Sequence, residues 1–279
     1  MEIEITSQFD ALSHPHRLAV LRLLLRRYPH QVPAGEIALA LGLKANTLST
    51  YLSHLMRTGL ITQSRYGTSL HYGANLDGLR HMTDGLFRDA LHARPDTLSP
   101  SLMASLSKTA PSPDRKYNVL FICTGNSARS IFAESILSHV AGDRFLAHSA
   151  GTKPTSALNP TALRLLRDKG LDVSRLTSKN VSVYQAEDAP EFDFVFTVCD
   201  QAANEDCPVW SGQQMTAHWG TPDPVKAEGT EAQRMLAFQH AYGTLRHRIM
   251  AFAALPLETL NRLSLQNALD DIALMETPQ

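Results

Sequence analysis

Residues 116–137 read KYNVLFICTGNSARSIFAESIL, and this stretch limits the fold more than any other. Asn118 to Ile122 reads as a strand, and the apolar run ends in Cys123. A tight loop of small and polar residues follows, and a helical pattern opens near Arg129 or Ser130. A short apolar run without polar alternation fits a strand buried on both faces, and a strand that feeds directly into a helix belongs to an alternating α/β domain.

The same stretch carries chemistry. A cysteine at the carboxyl end of a strand, before a helix N-terminus, receives converging backbone N–H groups and the positive end of the helix dipole. Both favour thiolate over thiol, as a nucleophile requires. Thr124, Gly125, Asn126, Ser127 and Ala128 form the loop, and Arg129 closes it with a planar fork suited to two oxygens of a tetrahedral oxyanion. Asn126 tolerates the left-handed backbone that such a loop needs. Ser130 is placed to donate a hydrogen bond to the sulfur. The plainer reading is an inert core thiol followed by a capping serine, and the Cys-x5-Arg-Ser spacing argues against it.

A nucleophile of this kind needs a general acid for the leaving group. Asp223, between two prolines in HWGTPDPV, is the candidate, although Pro-Asp-Pro is also ordinary turn chemistry. The chain has two more cysteines, Cys199 and Cys207, in FDFVFTVCDQAANEDCPVW. Phosphate-ester hydrolysis needs one thiol, whereas a two-electron reduction needs a thiol to attack the adduct and another to form a disulfide. Zinc competes for three thiols, but they lack the paired Cys-x2-Cys spacing of a structural site, so no metal is expected. An odd number of cysteines, all behind residue 116, argues against a disulfide framework. With an acidic N-terminus, MEIEITSQFD, and no long apolar window, a cytoplasmic protein with no membrane association is expected.

The front of the chain has a different character. Residues 1–115 hold 12 Lys+Arg against 9 Asp+Glu, and the remainder 14 against 18, so a net charge of −1 conceals a mildly basic front half. Residues 93–115, rich in proline, serine and threonine, read as a linker with a short helix near Leu102–Leu106. Before it, HPHRLAVLRLLLRR predicts a helix opening at Pro15 with Leu18, Leu21, Leu24 and Leu25 on one face. PAGEIALALG predicts a second helix stopped by Gly42. KANTLSTYLSHLMRTG predicts a third, with Leu48, Leu52, Leu55 and Met56 at helical spacing and Gly59 as its stop. LITQSRYGTSLHYGAN then reads as a hairpin, and a last helix follows. Helix, turn, helix and hairpin is the layout of a winged helix-turn-helix. Its candidate DNA contacts are Lys44, Asn46, Thr47, Ser49, Thr50, Tyr51 and His54 on the third helix, with Arg65 and Tyr66 on the hairpin. The plainer reading is the solvated face of an amphipathic helix.

The stretch from LSHPHRLAVLRLL to NTLSTYLSHLMRTGLI is similar to the ArsR-type bacterial repressors. That resemblance implies a homodimer made through the first and last helices, with operator DNA as partner. Lys44 stands where the family usually has a serine cap, and the front domain has no cysteine, so the family's thiol site for arsenite is absent. VLFICTGNSARSIFAES, FTVCD…CPVW and HWGTPDPV together resemble the thioredoxin-coupled arsenate reductases built on the low-molecular-weight tyrosine phosphatase fold. This implies a doubly wound four-stranded parallel sheet with the site at the carboxyl ends of its strands.

By that family's mechanism Cys123 attacks arsenate held by the loop and Arg129, and Asp223 helps water or hydroxide leave. Cys199 then attacks the adduct and releases arsenite, and Cys207 moves the disulfide outward to thioredoxin. Phosphate or sulfate would mimic the substrate, no cofactor would be tightly bound, and some phosphatase activity would remain. Val225 stands where the phosphatases usually carry an aromatic residue, which weakens the phosphotyrosine reading. The expected organisation is therefore a DNA-binding and dimerisation domain at 1–92, a linker at 93–115 and a reductase domain at 116–279. Two alternatives stay open: a repressor whose phosphatase-like domain only senses oxyanion, arsenite or redox state, and a tyrosine phosphatase with a DNA-binding domain.

Overall fold

The computed structural model describes residues 2–107, 115–186, 188–205 and 214–275. They cluster into two compact units divided between Ser107 and Lys108.

The first unit opens with α1 (Glu2–Leu12) and α2 (Pro15–Arg27). Pro15 begins α2, where its missing N–H costs nothing, and His14 Nδ1 accepts from His16 N at 3.2 Å. β1 (Val32–Pro33), α3 (Ala34–Leu41), α4 (Ala45–Arg57), β2 (Ile61–Tyr66), β3 (Ser69–Ala74) and α5 (Leu76–Gly85) follow, and α6 (Pro100–Ser107) ends the unit. Gly42 stops α3 in the left-handed conformation, φ 61°, and α4 starts at Lys44 without a side-chain cap, as its sequence implies. β2 and β3 pair around Gly67, and β1 joins β3 to make a three-stranded antiparallel sheet in the order β1-β3-β2.

Leu48, Leu52 and Leu55 of α4 pack with Val20, Leu21, Leu23, Leu24 and Ile37. The face expected of α2 needs correcting. Leu25 is exposed and Leu18 only half-buried, because the buried stripe is turned toward Val20 and Leu23. The sequence reading passes over α1, although Ile5, Phe9 and Leu12 stand at helical spacing in it, and the two-residue β1 is too short to show a pattern.

The second unit alternates β4 (Tyr117–Cys123), α7 (Arg129–Ala141), β5 (Phe145–Gly151), α8 (Pro160–Asp168), β6 (Phe194–Thr197), α9 (Asp200–Asn204) and β7 (Met215–His218). It closes with α10 (Glu231–Ala253) and α11 (Arg262–Ala273). The sheet is wholly parallel, in the order β5-β4-β6-β7, with Ile122 opposite Ala150 on one side and Thr197 on the other. β4 is central and buried along nearly all its length, which is why its sequence is an apolar run rather than an alternation. Phe196 stacks on Trp219 at 4.0 Å between ring centres, and Phe121 and Phe252 complete a buried aromatic block. That block fixes the strand ends from which Cys123 and Cys199 project. Among the described residues, no helix is long and apolar enough to cross a membrane.

Candidate active site

Cys123 is the last residue of β4, and Arg129 the first of α7. The loop between them is held from outside by residues 152–159. Thr152 N donates to Cys123 O (3.1 Å), Lys153 N to Thr124 O (2.9 Å), Thr155 N to Gly125 O (3.0 Å) and Asn159 N to Ser127 O (3.0 Å). In a trans peptide the carbonyl and the next N–H point in opposite directions. With these carbonyls taken up by residues 152–159, the N–H groups of Thr124, Gly125, Asn126 and Ala128 are turned the other way, an arrangement that suits an anion. Asn126 N donates to Cys123 Sγ at 3.1 Å. Gly151 permits this packing, since a Cβ there would lie 2.6 Å from Thr124 O.

Asn126 is fully buried, with φ 44°, the left-handed backbone anticipated for it. Its amide orientation is fixed because Oδ1 accepts from Lys179 N at 2.6 Å. Nδ2 must then donate, and it does so to Ser130 Oγ at 2.9 Å and Ser149 Oγ at 2.8 Å. Ser130 Oγ lies 3.0 Å from Cys123 Sγ, so its hydroxyl can donate to the sulfur once that is a thiolate, which has no hydrogen to give. Ser149 in turn donates to Glu134 Oε2 at 2.5 Å, and Lys179 Nζ lies 3.7 Å from the same oxygen.

Glu134, Ser149 and Lys179 were not identified from the sequence. The available signal was an acid inside the otherwise apolar helix SIFAESIL; nothing local announces the other two. Burial pushes the Glu134 carboxyl above its usual range, against the opposing pull of Lys179 and of the Ser149 hydrogen bond.

Burial also pushes the Cys123 thiol up, and nearby Cys199 pushes the same way, while Ser130 and Arg129 pull it down. The donors that the loop aims at the sulfur thus act against its desolvation, in the direction expected of them.

The Arg129 guanidinium, largely buried, donates from Nη1 to Thr221 O at 3.0 Å and pairs through Nη2 with Asp223 Oδ2 at 2.9 Å. The candidate acid thus stands against the arginine of the cradle, with Oδ1 accepting from Val225 N at 3.2 Å. The loop that carries it is tied down by Thr221 N to Val198 O (3.2 Å) and by buried Arg248, which donates to Gly220 O at 3.0 Å. Arg248, too, gave no sign in the sequence.

Cys199 follows β6 and caps α9, its Sγ accepting from Ala202 N at 3.4 Å and lying 3.4 Å from Thr124 Oγ1. Cys123 and Cys199 are both free and buried. The residue after the first thiol therefore touches the second. Cys207 lies outside the described residues.

In the first unit, Lys44, Asn46, Thr47, Ser49 and Thr50 are exposed on α4 or at its start, and Arg65 and Tyr66 are exposed on the hairpin. Tyr51 and His54 are half-buried. Tyr51 Oη lies 3.3 Å from His14 Nε2, and His54 Nε2 lies 3.4 Å from Asp10 Oδ2, so both help seat α4 against the preceding helices.

This thiol-centred anion cradle on a parallel sheet accords with the comparisons. Residues 118–264 match the model of the low molecular weight phosphotyrosine protein phosphatase family, and the chain belongs to that family. The chain is 38% identical over 135 residues to the arsenate reductase of Shouchella clausii, covering 48% of this chain and 94% of that one. It is 38% identical over 138 residues to the arsenate reductase of Bacillus licheniformis, covering 50% and 96%. It is also similar to the solved structure of a thioredoxin-dependent arsenate reductase from Corynebacterium glutamicum, at 23% identity and a TM-score of 0.36, over 76% of this chain and 90% of that one.

Proposed function

We propose that the second unit is an arsenate reductase that works by a relay of three thiols. The observation that carries this reading is the second buried thiol, Cys199, in contact with Thr124 of the cradle. Hydrolysis of a phosphate ester has no use for it, whereas reduction requires it.

Arsenate sits among the inward N–H groups and Arg129, and the Cys123 thiolate attacks arsenic. The departing oxygen leaves as water, with its proton from Asp223. Cys199 then attacks Cys123 Sγ. The S–S bond forms, the S–As bond breaks, and its electron pair goes to arsenic, which leaves as arsenite. Two thiols have been oxidised to a disulfide, and As(V) has been reduced to As(III). Cys207 attacks Cys199, frees Cys123 and presents a Cys199–Cys207 disulfide to a thioredoxin dithiol. No tightly bound cofactor is needed. In an assay with thioredoxin, thioredoxin reductase and NADPH, wild type makes arsenite continuously, and Cys207→Ser stops after about one equivalent per chain, because one pair of thiols supplies one two-electron reduction. Phosphatase activity without arsenite would leave the tyrosine phosphatase reading standing.

For the first unit we propose a winged helix-turn-helix domain, spanning 1–92 and followed by a linker to residue 115, that binds operator DNA as a homodimer. The α3–α4 pair, with only residues 42–44 between its helices, and the β2–β3 hairpin support this, as does the polar exposed face of α4. Together the units would make an arsenic-responsive regulator that carries its own chemistry. Arsenite retained by Cys123, Cys199 and Cys207 would be the signal to DNA, since these are the chain's only cysteines. Gel shift with promoter DNA tests this: release by arsenite in wild type but not in a Cys-free variant supports the coupling, and release in both removes it.

A further inference from the structure

In the relay just described, Cys199 has to leave its seat: it bonds first to Cys123 and then to a third sulfur. Its seat is α9, a helix of five residues. So short a helix has little internal bonding to hold it, and its position depends on what grips its ends.

Among the described residues, ion pairs lie at both ends. Past its last residue, Glu205 Oε1 meets Lys153 Nζ at 2.8 Å, but the lysine is exposed and such a pair holds weakly. At its first residue, Asp200 Oδ1 lies 2.9 Å from His218 Nε2, and the His218 side chain is completely buried. The other ring nitrogen, Nδ1, lies 2.9 Å from Thr197 Oγ1. An ionised Asp200 only accepts, so Nε2 carries a proton and binds α9, while Nδ1 fixes the ring to β6. The chain at Gly220 presses directly on this bond: a Cβ there would lie 2.6 Å from His218 Nε2 and 2.7 Å from Asp200 Oδ1. Backbone thus covers the histidine end of the bond, and although the Asp200 side chain is 57% exposed, the fully buried ring makes this the firmer of the two pairs. Asp200 is also the residue next to Cys199, so whatever holds its carboxylate holds the thiol.

We propose that the His218–Asp200 hydrogen bond is a latch that keeps α9 closed over Cys199 and opens to let this thiol travel. His218 and Asp200 act as positioning residues, through the backbone that joins Asp200 to Cys199. The proposal rests on the reading of Cys199 as the second thiol of the relay, and it can be tested apart from that reading.

The test is the rate of iodoacetamide modification at Cys123 and at Cys199, followed by tandem mass spectrometry in the reduced full-length protein. Asp200→Ala removes the acceptor and should speed modification of Cys199 by about tenfold while leaving Cys123 at its wild-type rate. Asp200→Asn loses the charge but keeps an oxygen to accept from Nε2, and should stay near wild type. Equal acceleration at both cysteines would mean general loosening and overturns the latch, as does no acceleration at Cys199. An Asp200→Asn as fast as Asp200→Ala would make charge, not the hydrogen bond, the cause, and overturns it too. Arsenite production by wild type is measured alongside. Its absence counts against the reductase reading, while the ratio of the two modification rates still decides the latch.

Discussion

Replacing Ser130 with alanine removes the hydroxyl that lies 3.0 Å from Cys123 Sγ, placed to donate to its thiolate, and leaves everything on the substrate side of the sulfur in place. Burial and Cys199 already push this thiol above its ordinary range, and the Ser130 hydrogen bond is the leading influence pulling it back. A hydrogen bond to a charged group contributes about 1.5–3 kcal/mol, which corresponds to ~10–160-fold in thiolate population at any pH below the midpoint. The variant also strands one donor of Asn126 Nδ2, which retains Ser149 as its other acceptor. The assay is the pH profile of iodoacetamide modification at Cys123, resolved by mass spectrometry. The midpoint should move to higher pH, and the rate at neutral pH should fall by that factor with the same plateau at high pH. An unmoved midpoint, or a faster rate at neutral pH, would refute the argument that Ser130 donates to the sulfur.

Glu134→Gln keeps an acceptor for Ser149 but removes a carboxyl whose protonated form the fold favours. Because the folded value is raised, this group's contribution to stability falls as pH rises from the unfolded value near about 4.3 through the raised folded value, so the variant should gain on wild type across that window. Melting temperatures at about pH 4 and pH 7 check this. Gly151→Ala puts a Cβ 2.6 Å from Thr124 O, a backbone atom that cannot swing aside. It should cost about 1–3 kcal/mol and abolish the thermal stabilisation that phosphate or arsenate gives to wild type, as read by melting with added anion. Asn46→Ala combined with Thr50→Ala, on the exposed face of α4, should weaken operator binding in a gel shift without changing arsenite production.

The parts of the site that a sequence displays are those confined to one local segment. Cys123 through Ser130 occupy a single strand–loop–helix, so their spacing alone implied the cradle, the left-handed Asn126 and the Ser130 donor. Four parallel strands followed from the resemblance, and the apolar run VLFIC marked the central one. What tunes the nucleophile is assembled over distance: Asn126 links Ser149 on β5, Glu134 on α7 and the backbone at Lys179 through hydrogen bonds that no spacing encodes. The burial of Cys123 was also hidden, because local donors are visible in sequence and desolvation at the sheet's centre is not. In the first unit, periodicity placed α4 well, but the buried stripe of α2 was misjudged at Leu25, where four leucines in five residues leave the helix's facing ambiguous.

The most direct test of the account is the covalent state of the thiols after one turnover. Reduced Cys207→Ser protein is treated with one equivalent of arsenate and digested under acid, and its disulfides are mapped by mass spectrometry. The relay predicts a Cys123–Cys199 disulfide in step with arsenite release. A protein that stays fully reduced and makes no arsenite, while still hydrolysing a phenyl phosphate, would contradict it and leave Cys199 a buried neighbour of the cradle.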